Sequence, residues 1–192
     1  MSDIGTKLNN EELVHWYPLR IFHSSIRRQK LLKEKLDAEE TVVETYIPER
    51  LVDVEENTFT SVLANYIFIR ISLQNLKKIK ADARYSVLRY VMNIRHDEVQ
   101  NEISKIAYVS DIEMDNFKRV IDNINEQVII LNNSNFAIRP GQRVEITDGV
   151  FKGTQGIVKS IKKHLCVVVS VENVISLAIT GIHKKFLKKI EN

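Results

Sequence analysis

The sequence predicts an α+β chain in two units, a mixed unit of strands and helices followed by a small β-barrel. Three observations predict it. Strand-like and helix-like periodicities alternate over residues 15–94 in the order β, α, β, β, α, β. Residue usage changes near residue 135 to short strands punctuated by glycine. Charge is also unevenly divided: residues 139–192 carry ten Lys/Arg against four Asp/Glu, leaving 18 of the 28 bases and 21 of the 25 acids to the first 138, so a net −3 precedes a net +6.

Residues 1–14 read as a polar leader, in which Asp3, Glu11, Glu12 and the want of an apolar stretch argue against a signal peptide. HWYPLRIF (15–22) is short and aromatic-rich, a first strand. In SSIRRQKLLKEKLDAEE, Ser24 or Ser25 caps a helix whose Ile26, Leu32 and Leu36 fall within about 120° of one another, with Arg27, Arg28, Lys30, Lys33 and Lys35 on the other faces. TVVETYIP (41–48), ended by Pro48, and VLANYIFIRI (62–71) are β-branched and predict strands. Tyr66 and Phe68 alternate with Ile67 and Ile69, so one pair faces helices and the other the opposite side. LQNLKKIKADAR places Leu73, Leu76 and Ile79 at helical spacing, and YSVLRYVMNI (85–94) returns to strand. Residues 95–107 are charged and show no clear period. Ser110 with Glu113 fits a capping box, and Met114, Phe117, Ile121 and Ile124 follow at i, i+3, i+7 and i+10, a helix.

Residues 15–128 form the first unit, 129–138 the linker and 139–192 the barrel. Three of the chain's six glycines, Gly149, Gly153 and Gly156, sit in GVFKGTQG. A phosphate loop needs GxxxxGK[ST] or GxGxxG ahead of a helix, whereas this run leads into the strand-like IVKSIKK. The pattern suits a meander of QRVEIT, TQGIVKSI, HLCVVVSV and VISLAI. Asp148-Gly149 makes the first turn, and Gly153 and Gly156 allow positive φ or close backbone approach.

Chemistry is largely excluded. No apolar run approaches the roughly 18 residues of a membrane helix, which predicts a chain without membrane attachment and a cytoplasmic location. Cys166, the only cysteine, lies in LCVVVSV and reads as a buried structural thiol, leaving no disulfide and no thiolate cluster. His15, His23, His96, His164 and His183 show no metal-ligand spacing. His23-Ser24-Ser25 is the one cluster resembling a nucleophile with its base, and its serines serve better as a helix cap. The expectation is a non-enzyme without metal or cofactor.

PGQRVEITDGVFKGTQGIV resembles the KOW motif of the NusG and RfaH family of transcription elongation factors, and HKKFLKKI resembles that domain's last strand. Trp16-Tyr17, the basic helix, the YIP ending, NYIFI, VLRYV and SDIEMDNF are similar to the family's NGN domain in the same order, so the resemblance covers about residues 16–190. It implies an NGN-type α/β sandwich, an antiparallel sheet flanked by helices, then a KOW β-barrel. It further implies a monomer that binds the clamp helices of RNA polymerase's largest subunit, bridges the cleft and suppresses pausing or termination. Carried over by position, the polymerase-facing residues are Leu63, Tyr66, Phe68 and Tyr90; the bland reading is that the aromatics fill a core. Arg20, Arg27, Arg28 and Lys30 are candidates for non-template DNA or nascent RNA, against the alternative of a solvated helix face. Phe151, in the turn between the first two barrel strands, is the candidate contact for a ribosomal protein or termination factor. Lys162, Lys163, Lys184, Lys185, Lys188 and Lys189 form either an RNA-facing patch or a merely soluble surface. Ala64-Asn65 lacks the family's proline and Arg20 replaces an aromatic, which points to an operon-specific paralogue similar to UpxY-like antiterminators of polysaccharide loci. The rival expectation is a KOW-containing RNA- or ribosome-binding protein without polymerase contact. The branched run VVVSVENVISLAI argues against refolding of the barrel into helices.

Overall fold

The computed structural model describes residues 12–53, 58–96, 102–131, 141–161 and 164–190. Aliphatic alternation builds the first sheet. In β1 (Val14–Ile21), Tyr17, Leu19 and Ile21 point the same way as Ile67, Ile69 and Ile71 of β5 (Tyr66–Ser72). With β2 (Glu44–Tyr46) and β6 (Leu88–Tyr90) these strands form an antiparallel sheet in the order β2-β5-β1-β6. The aliphatic face is covered by α1 (Ile26–Asp37) through Leu32 and Leu36 and by α2 (Leu73–Ala81) through Leu76 and Ile79. Of the two candidate caps of α1, Ser25 takes the role, its hydroxyl accepting from the Arg28 amide at 3.2 Å. Ile26, expected inward, is 40% exposed, and Gln29 is buried in the helix instead. Gln29 donates to the carbonyls of Leu63, at 3.0 Å, and Tyr66. That polar anchor holds residues 62–65 in a turn, so the strand expected over 62–71 begins only at Tyr66.

Two further antiparallel hairpins flank this sheet, β3 (Glu49–Asp53) with β4 (Thr58–Ser61) and β7 (Met92–His96) with β8 (Glu102–Ile106). The second occupies most of the aperiodic stretch 95–107. Helix α3 (Asp111–Asp122) starts at the capping box read from the sequence: Ser110 accepts from the Glu113 amide at 3.3 Å, and Glu113 accepts from the Ser110 amide at 3.0 Å.

The second unit holds β9 (Val128–Leu131), β10 (Arg143–Ile146), β11 (Gln155–Ile161), β12 (His164–Val171), β13 (Ile175–Ile179) and β14 (Leu187–Lys189). They pair antiparallel in the order β14-β10-β11-β12-β13-β9. Two expectations need correction. The strands do not close into a barrel among the described residues, because β14 and β9 are two separate edges. Residues 129–131, expected in the linker, are strand: β9 pairs with β13, Leu131 opposite Ser176; the remainder of that linker lies outside the described residues. The reason is shared. One face of the sheet carries Val144, Ile146, Val167, Val169, Val171, Ile175, Leu177 and Ile179, and instead of sealing against itself it is capped by Met114, Phe117, Val120 and Ile121 of α3. The chain that leaves α3 is thereby delivered to the sheet edge. Cys166 and Val168 face the other way and pack with Leu131 and Ala178, which accounts for the uninterrupted apolar run of β12. The Cys166 thiol is buried as expected, and burial raises its pKa.

Candidate interaction surfaces

Residues directly opposite in neighbouring strands share a face, so register fixes which side chains can act together. Tyr66 stands opposite Arg20, Phe68 opposite Pro18 and Tyr46, and Arg70 opposite Trp16 and Glu44. This is the sheet face away from α1 and α2, and α3 lies across one end of it. Arg70 grips Asp111 at 3.0 Å, while Lys118 reaches Glu44 at 2.5 Å and lies 4.1 Å from the Trp16 ring centroid. Phe68, Phe117 and Tyr46 form an aromatic cluster with centroids 5.4 to 6.3 Å apart.

Leu63, Tyr66 and Phe68 come together on this face, packed on or within the core that α3 shares with the second sheet. Two of the polymerase-facing residues are corrected. Phe68 is fully buried under Phe117 and cannot touch a partner in this arrangement; the alternation of Tyr66 and Phe68 with Ile67 and Ile69 is as read, but the outer face is already covered. Tyr90 stands opposite Leu19 and therefore on the aliphatic face, half-buried, with the Lys80 ammonium 5.8 Å from its ring centroid. Burial raises the Tyr90 pKa.

The uncovered end of the same face is basic. Arg20 is exposed between Tyr66 on one side and Arg89 on the other, and the exposed Arg89 guanidinium lies 5.7 Å from the ring centroid of Phe22, itself 55% exposed. Arg27 and Arg28 are exposed on α1, Arg28 donating to the His23 carbonyl, and Lys30 pairs with Glu49 at 3.5 Å. Arg20, Arg27, Arg28 and Lys30 thus all reach solvent. Arg89 and Phe22 belong with Arg20 and were not anticipated, because only the β1–β6 pairing brings residue 89 beside residue 20.

In the turn between β10 and β11, Gly149 and Gly153 have φ of +81° and +82°, the left-handed conformation expected of them. Gly156 serves by close approach instead: a Cβ there would meet the Val168 carbonyl oxygen and Val167 Cγ1 at 2.7 Å. Phe151 is corrected. It turns inward, 1% exposed, into the core beneath α3, between the two left-handed glycines. The apolar side chain presented by this turn is Val150, 59% exposed. Lys184, Lys185, Lys188 and Lys189 are exposed, while Lys162 and Lys163 lie outside the described residues.

Among the described residues no three His, Cys, Asp or Glu side chains are grouped to hold a metal ion, and no helix is long and apolar enough to cross a membrane. No family model matches the chain, and no curated protein matches it.

Proposed function

We infer that this chain is a NusG/RfaH-type transcription elongation or antitermination factor of the operon-specific kind, whose first unit docks on RNA polymerase and whose basic sheet end contacts nucleic acid. The observation that carries the reading is the convergence of the half-buried Leu63 and Tyr66 at the rim of one sheet face, beside an exposed Arg20–Arg89 pair on that same face. Rigid aromatic and aliphatic side chains supply desolvation energy at a protein interface, and adjacent arginines supply phosphate contacts. Because Phe68 is covered by Phe117 of α3, polymerase meets the half-buried rim of Leu63 and Tyr66.

The test is equilibrium binding of the full chain to core RNA polymerase. The double variant Leu63→Ala with Tyr66→Ala should lose at least tenfold in affinity, since truncating two interface anchors costs about 2 kcal/mol or more. Arg20→Gln with Arg89→Gln should leave binding to the core enzyme unchanged and weaken, in a salt-dependent way, binding to a transcribing complex with exposed single-stranded DNA. A wild-type chain that ignores polymerase, or a Leu63/Tyr66 variant that binds as tightly as wild type, would sink the reading.

A further inference from the structure

A groove of about 840 Å³ opens on the opposite side of the first sheet, between the start of β1, helix α2 and the β7–β8 hairpin. Its apolar lining is made by Tyr17, Leu73 and Ile106, with the exposed Ile103 beside them. Its mouth is cationic, with Lys77 from α2 and Lys105 from β8, and no carboxylate lines it among the described residues. Against one wall His15 and Tyr108 are stacked with centroids 4.6 Å apart and planes 30° apart, yet Tyr108 remains 58% exposed. Pairing explains the stack. Val109 bridges Trp16, so its neighbour Tyr108 emerges on the other face, beside His15 and Tyr17.

We propose that this groove binds a nucleoside phosphate. The volume falls within that of small-molecule sites, which are mostly apolar with a few placed polar groups. The remaining ring surface of the Tyr108–His15 stack offers a platform for a planar base, since bases stack on aromatic side chains regardless of sequence. Lys77 and Lys105 supply the charge that a phosphate complements, while Asn93, opposite Lys105 in the hairpin, is engaged elsewhere, donating to Glu172 at 3.2 Å and accepting from Asn173. A purely aliphatic acid would meet the lysines and leave the aromatic platform unused. The site is separate from Arg20 and Arg89 and lies on the other face of the sheet, so it does not depend on polymerase binding.

The full chain is titrated with AMP, GMP, UMP and CMP by calorimetry and by ligand-observed NMR, and in parallel with a mixed-sequence single-stranded 12-mer. Binding of at least one mononucleotide is expected, lowered about tenfold by Tyr108→Ala and retained by Tyr108→Phe, in line with the worth of one base–aromatic stack. Lys77→Gln with Lys105→Gln should weaken it and abolish most of its salt dependence. Lys152→Gln, in the exposed turn between β10 and β11, should change nothing. The inference is overturned if no mononucleotide binds at millimolar concentration. It is equally overturned if binding survives Tyr108→Ala in a chain whose melting temperature is unchanged, or if only the 12-mer binds through Tyr108, which would assign the groove to a strand.

Discussion

Replacing Phe117 by Ala should destabilise both units of the chain at once. Phe117 is fully buried on α3, between Phe68 and Tyr46 of the first unit and a cluster that contains Val167, Val169 and Leu177 of the second. Phe→Ala at such a site removes the transfer energy of the ring and leaves a cavity, together about 3–5 kcal/mol. The neighbours Trp16, Phe68 and Met114 are themselves packed at or below 2% exposure and have little freedom to fill the space. For a chain of this size each kcal/mol moves the midpoint by about 2–4 °C, so a fall on the order of 10 °C is expected. Calorimetry gives the transition as a whole. Near-UV signal from Trp16 reports the first unit, and hydrogen exchange of the β12 amides reports the second. One transition, with both probes shifted together, is the expected result. Two separable transitions, of which Phe117→Ala moves only that of the first unit, would refute the common core and return α3 to the first unit alone.

Gly156→Ala should cost more than Gly149→Ala in thermal melts, because its Cβ collides with backbone at 2.7 Å whereas at Gly149 only the left-handed φ is strained, at about 1 kcal/mol; equal costs would contradict the close approach of β11 and β12. The Tyr85 hydroxyl donates to Glu39 at 2.7 Å, and burial together with that bond pushes its pKa up to about 12. The unfolded chain ionises its tyrosines near pH 10, so it sheds a proton that the folded chain keeps; the stabilisation is complete below pH 10 and is lost as pH rises towards 12. Urea titrations of Tyr85→Phe across that window should show a shallower decline than wild type, and parallel curves would contradict the assignment.

Local pattern was legible where a segment carries its own signal. The Ser110–Glu113 box and the stripe Met114, Phe117, Ile121 define α3 almost to the residue. The strands of the second unit stand out by branched residues between glycine turns. Residues 95–107 are opaque because β7 and β8 make a two-stranded ribbon with no third strand beside it among the described residues, where Ile94 and Ile103 remain exposed. The burial of Gln29 leaves no signal in the sequence, because periodicity ranks residues by polarity and cannot foresee a turn whose carbonyls need a donor. Phe151 and Val150 differ by one position in a turn, and which of them points inward depends on dihedrals that the glycines permit without choosing between them.

Partner identity is the deeper loss. A hydrophobic stripe states that a face is buried and is silent on what buries it, and α3 is buried from two sides. Lys118 ties it to the first sheet through Glu44 and the Trp16 ring, while Asn116 accepts from the Gln155 amide at 2.8 Å and Arg119 donates to the Gly153 carbonyl at 2.9 Å, tying it to the second. Those two bonds to the second unit are each worth about 1 kcal/mol net, so most of the adhesion is apolar contact with Val144, Val167 and Leu177. Apolar contact has no directional demand, and a partner offering aliphatic side chains could replace it at similar energy. An outward aromatic face and a core aromatic face are therefore the same residues with different neighbours, which is why Phe68 could be placed on a face from sequence but could not be declared free.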